Sequence, residues 1–137
     1  MLTLSHFHGA VAALAPYRAS SRLTAIEPGT FASPVEILLG VKAIAAYGHT
    51  PGHTIFQIES QGAKFLIIGD LLHIALVQFP VPEISATYDM DAAISAQVRR
   101  QVLDYAARNR IPVGGMHIVY PAVGSVEVEG TGFKFTP

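Results

Sequence analysis

Four side chains in this sequence could share one chemical task. His49 and His53 sit four residues apart in the stretch YGHTPGHT at positions 47–54, and Asp70 and His117 lie further along. Glycine and proline around the two histidines let the backbone bend both rings towards one centre. Asp70 follows the apolar run KFLII and a glycine, and His117 follows the run IPVGGM. Each run reads as a buried strand. Side chains at the ends of neighbouring strands converge in space even when they are distant in the chain. Two imidazoles and a carboxylate so placed are a typical ligand set for catalytic zinc or a similar divalent ion, with a position left open to water. Singly, each residue has a plainer reading. A histidine near a strand end serves as a hydrogen-bonded structural group, and Gly-Asp after a strand makes a turn. What points to a metal is that all of them recur at loop-after-strand positions.

The elements that must hold these residues follow from periodicity and punctuation. Leu4, Phe7, Val11 and Leu14 have helical spacing and predict an amphipathic helix over 4–15, ended by Pro16. Short β-like runs follow at 23–26, 35–39 and 41–46. Residues 53–60 alternate apolar and polar, Gln61-Gly62 makes a tight turn, and 64–68 completes a hairpin. The proline-broken segment LLHIALVQFPVPE reads as a loop with one helical turn. Asp89 or Asp91 then caps a helix to about Asn109, with Ile94, Val98 and Val102 as its apolar stripe and Leu103 and Ala106 widening it. Arg99, Arg100, Arg108 and Arg110 read as its solvated face. A strand over 111–116 leads to His117, and strands over 125–129 and 133–136 flank the turn Gly130-Thr131-Gly132. This order favours an α+β layered arrangement, with helices packed on a mostly antiparallel or mixed sheet.

Composition bounds the rest. The 137 residues suit one domain. Half are hydrophobic but only 14% are charged, against roughly a quarter in average soluble domains. The shortage of charge fits either a large buried interface or simply an alanine- and valine-rich sequence. A formal net charge of −1 points to neither nucleic acid nor an anionic membrane. Without cysteine there are no disulfides, zinc thiolates or thiol nucleophiles. The apolar N-terminus lacks a basic n-region and a cleavage site, and no apolar run approaches the ~20 residues that cross a bilayer. A soluble protein is expected, cytoplasmic in preference to periplasmic.

GHTPGHT, the block LIIGDLLHIALVQFP one hairpin later, and GGMHIVYPAVG after a long helix occur in that order. Together they resemble the C-terminal half of the metallo-β-lactamase fold hydrolases, which include lactonases and glyoxalase II-type thioesterases. The resemblance spans nearly everything from about Ala12 to the C-terminus. It implies half of an αβ/βα sandwich, truncated within residues 1–137. It also implies that His49 binds a first metal, that Asp70 bridges two metals and takes part in catalysis, and that His117 binds the second. His53 is expected to orient or support these ligands, and His73, three residues after Asp70, to stand behind them. Tyr47 occupies a position where the family commonly has proline.

One departure matters more than the matches. The family's HxHxDH motif, which supplies four ligands, has no counterpart upstream of GHTPGHT. The sequence His6-Phe7-His8 is followed by Gly9, Ala10 and Val11, lies only about forty residues before His49, and falls within the predicted first helix. Residues two apart on a helix face different directions, so His6 and His8 could not both hold one ion. Two functions follow as expectations. One is a hydrolase of a small ester, lactone or related acyl compound, using zinc or another divalent transition metal, about one ion, at a reduced site. The other is a catalytically inactive remnant acting as an oligomeric or binding module. A lone half would expose one apolar face of its sheet, so a homodimer, or association with the missing half, is expected.

Overall fold

A computed structural model describes the backbone of residues 4–137 and the side chains from Phe7 onward. Seven strands form one mixed sheet in sequence order: β1 (Val35–Leu38), β2 (Val41–Ala45), β3 (Thr54–Ser60), β4 (Ala63–Ile67), β5 (Val113–Gly114), β6 (Val123–Glu129) and β7 (Gly132–Thr136). All neighbours are antiparallel except β4 and β5, which are parallel. A parallel pair needs a crossover, supplied here by the short helix α2 (Ala75–Gln78) and the long helix α3 (Ala92–Asn109). The β3–β4 hairpin forms as its sequence predicts. Gln61 and Gly62 both take positive φ, at 51° and 81°, as a two-residue hairpin turn requires.

Helix α3 covers one face of the sheet. Val102, Leu103 and Ala106 are buried against the core that Ile44, Ile55, Leu66, Ile68 and Val113 build from the strands. Asp91 is the N-cap, accepting a 3.0 Å hydrogen bond from the Ile94 N–H. The inward face of the first two turns differs from the expected stripe. Ile94 is exposed and Val98 only partly buried, while Ser95 and Arg99 point inward. Arg99 is therefore no part of a solvated face, because five protein acceptors replace its water. Its Nε donates to Leu71 O (2.8 Å), Nη1 to Pro82 O (2.8 Å) and Ile84 O (2.9 Å), and Nη2 to Asp89 Oδ2 (2.9 Å) and Ser95 Oγ (3.1 Å). Arg100 and Arg108 pair with Glu83 and Asp104 at the surface, and Arg110 is the left-handed C-cap.

Three other expectations need correction. Helix α1 (Leu4–Ala19) continues through Pro16. Near a helix end the proline forfeits only its own N–H bond, and Ser20 closes the last turn onto Pro16 O through both N–H and Oγ. Residues 23–26 form no strand. β1 already occupies the edge of β2 at Val41–Ala43, leaving room for a single bridge from Gly29 to Ile44. The predicted strand over 111–116 shrinks to β5, because the chain turns off after Gly114: Gly115 N–H donates to Ala122 O and Met116 N–H to Gly69 O.

The second face of the sheet is apolar and partly open. Register places Val35, Ala43, Phe56, Ile67, Gly114 and Val123 in one row across six strands. Val35, Ile67 and Val123 are each more than 40% exposed. The apolar residues of α1, Phe7, Val11, Leu14 and Tyr17, are also exposed. No described helix is long and apolar enough to cross a membrane.

Candidate metal centre

The strand ends gather three of the expected residues at one rim of the sheet. His49 lies in the β2–β3 loop, Asp70 three residues past the end of β4, and His117 three residues past the end of β5. Asp70 stands between the imidazoles, offering one oxygen to each. His117 Nε2 is 3.0 Å from Oδ1, and His49 Nε2 is 3.7 Å from Oδ2. The two separations run to different oxygens of the carboxylate, and the trio whose ligand atoms all lie within 4.8 Å of one another among the described residues is His49, His73 and Asp89, not His49, Asp70 and His117. With His73 and Tyr88 the three line an open cleft of about 430 Å³. His49 is the most enclosed, its side chain 17% exposed, against 41% for Asp70 and 45% for His117.

Behind the rim, His53 is a strut. Its Nδ1 lies 2.8 Å from Ala46 O, and its Nε2 accepts the Asp70 N–H at 3.2 Å. This pairing requires the neutral ring with its proton on Nδ1, and burial, foremost, holds His53 below the usual imidazole range. Gly69 accommodates the strut. It has φ +53°, and a Cβ there would stand 2.9 Å from His53 Nε2. The orienting role expected of His53 thus has a geometric basis. His73 stacks on His117 (centroids 4.9 Å, 25°) and tilts against His49 (4.8 Å) and Tyr88 (5.3 Å). Burial, then the neighbouring His49, lowers its pKa.

A second layer, not evident from the sequence, lies behind the rim. The Asp89 side chain is completely buried, 3.4 Å from His49 Nδ1 through Oδ1 and 2.9 Å from Arg99 Nη2 through Oδ2. His49, His73 and Asp89 each offer a ligand atom within 4.8 Å of the others. Separately, His49 Nδ1, His73 Nδ1 and Asp89 Oδ1 are buried without a hydrogen-bond partner. The sequence alone offers Asp89 only as an alternative helix cap. The signal that could have found this layer is Arg99, which stands at i−3, i−4 and i−7 from Val102, Leu103 and Ala106. That spacing places it on the core side of α3, where a charge needs an acid.

The family model of the metallo-beta-lactamase superfamily matches residues 5–110. This chain belongs to the metallo-beta-lactamase superfamily. Among solved structures, the hydrolase AbOPH of the beta lactamase superfamily is similar at 28% identity and a TM-score of 0.88, covering 98% of this chain and 44% of that one. AidC, a dizinc quorum-quenching lactonase, is similar at 25% identity and a TM-score of 0.77, covering 86% and 38%. A probable metal-dependent hydrolase from Staphylococcus aureus, at 23% identity and a TM-score of 0.68 over 85% and 40%, shares the fold. A comparison with curated proteins found no match. The chain spans less than half the length of these structures.

The rim of this chain has donor chemistry that suits an ion. It offers imidazole nitrogens and a carboxylate, donors that suit zinc and similar divalent metals. His8 is exposed on α1 and does not line the cleft. The side chain of His6 lies outside the described residues.

Proposed function

We propose that this chain is a metal-dependent hydrolase of a small ester, lactone or related acyl compound, with zinc or another divalent ion held by His49, Asp70 and His117. The observation that carries the reading is the Asp70 carboxylate, set between two imidazole Nε2 atoms at 3.0 and 3.7 Å in an open cleft. The hydrolase AbOPH and the lactonase AidC, both similar in fold, support the reaction class. These three residues are proposed to hold one ion, whereas the similar lactonase AidC is a dizinc protein.

A bound divalent ion supplies Lewis acidity, polarising a carbonyl oxygen and acidifying water. The residues of the chain do the positioning. Asp70, tied at its N–H by His53, holds its two oxygens apart for the flanking rings. His73 supports the His117 ring by stacking. Tyr88, largely exposed at the cleft, is placed to contact a substrate. With three protein ligands, the centre should hold its ion more weakly than a fully furnished one.

Metal analysis of protein purified without chelator is expected to give about one ion per chain. His49→Ala and Asp70→Ala should each lose the ion and any esterase or lactonase turnover. Turnover that survives both changes defeats the hydrolase reading. The alternative, an inactive module, is favoured by the half-open apolar face of the sheet. Protein that is folded, metal-free and inactive after incubation with zinc would select it.

A further inference from the structure

The proposed centre explains the outward nitrogen of His49 but not its inward one. We propose that Asp89, anchored by Arg99, is a positioning residue: its carboxylate takes the Nδ1 proton of His49 and so keeps Nε2 unprotonated and aimed at the rim. This inference rests on the metal-centre reading above and adds to it the group that orients the first ligand.

Three observations carry it. First, His49 Nδ1 and Asp89 Oδ1 are both buried and unpartnered, and they face each other at 3.4 Å. Closing by a few tenths of an ångström would make a charge-assisted hydrogen bond of about 2.7–2.9 Å. Second, the two segments are pinned together along the backbone. Met90 N–H donates to His49 O at 3.1 Å and Asp91 N–H to Gly48 O at 2.9 Å. Third, the Asp89 carboxylate cannot swing away. Arg99 holds its second oxygen, and four further hydrogen bonds fix the guanidinium. A metal-ligating histidine needs its other ring nitrogen held by an acceptor, which sets both tautomer and ring angle.

His49 and Asp89 could instead be imagined as part of a second cation site, with His73 as third ligand. Arg99 argues against that. Its guanidinium is permanently charged and sits 2.9 Å from the carboxylate such a cation would need. A proton between His49 and Asp89 satisfies both atoms without adding a divalent charge beside it.

Nitrogen-15 NMR of the histidine rings in metal-free protein reads the tautomer directly, at about pH 8, above the usual imidazole range. In the unmodified chain His49 is expected as the Nδ1–H form, and finding the Nε2–H form overturns the proposal whether or not any variant folds. In Asp89→Asn the amide should turn its oxygen to Arg99 and its NH2 to His49, switching the ring to Nε2–H. Zinc Kd, measured by chelator competition, should then rise about 10–100-fold with the circular dichroism unchanged. A folded Asp89→Asn with His49 still Nδ1–H counts against the proposal at any Kd: with affinity lost, Asp89 would itself be a ligand, and with affinity kept, it would have no role. The tautomer is read without metal, so a wild-type chain that binds no zinc would sink the hydrolase reading alone.

Discussion

At the scale of single residues, the centre depends on two kinds of contact with different consequences. His53 joins Ala46 O to the Asp70 N–H, so His53→Ala leaves a donor and an acceptor unpaired. It should destabilise the fold by about 1–3 kcal/mol, measured by urea unfolding, and weaken metal binding as Asp70 loosens. No loss of stability would mean that water replaces the strut. Arg99→Ala should be harsher, at about 3–5 kcal/mol, because Asp89 would remain buried without its partner. A variant within 1 kcal/mol of the parent would show that the pair contributes little. The rim residues His49, Asp70 and His117 were legible because each follows a glycine-bearing loop or an apolar run at a strand end. Asp89 and Arg99 were not, because a charged residue next to a helix start or among other arginines reads first as solvated. Only the three-dimensional pairing of an acid from one segment with a cation on another cancels the cost of burying both.

At the scale of elements, the long helix is what ties the histidine loop to the rest of the fold. Gly48 has φ +122°, and a Cβ there would overlap the Ser95 backbone nitrogen. The loop and the first turn of α3 are therefore in direct backbone contact. Gly48→Ala should force them apart, costing about 1–3 kcal/mol and weakening metal binding through His49. Unchanged thermal stability would contradict that docking. Asp91→Ala removes the side-chain cap and should cost about 0.5–2 kcal/mol without touching the proposed metal ligands, so stability should fall while zinc affinity holds. Helix α3 and the β3–β4 hairpin were readable from cap, period and turn residues, which are local signals. At 23–26 and 111–116 local β pattern does not become a full strand, because pairing is decided elsewhere. The edge of β2 was already taken by β1 at one site, and the Gly115 and Met116 N–H groups left the ladder for Ala122 and Gly69 at the other.

At the scale of the whole molecule, one face of the sheet is packed under α3 and the other presents Val35, Ile67 and Val123 to solvent. Only 14% of the residues are charged, so little of the surface can be spent on keeping such a face soluble. We propose that a second copy of the chain covers it, and light scattering at micromolar concentration should then give twice 14.6 kDa. A monomeric mass would contradict the pairing. Ile67→Glu, central in the exposed row, should shift the mass towards monomer while leaving the rim intact.

The central claim is that one divalent ion sits at Asp70 between His49 and His117, and zinc titration of the metal-free chain, followed through its histidine ring signals, tests it most directly. His49 and His117 should shift together and saturate near one equivalent of zinc, with neither responding in Asp70→Asn. Shifts confined to other histidines, or an unchanged response in Asp70→Asn, would contradict it.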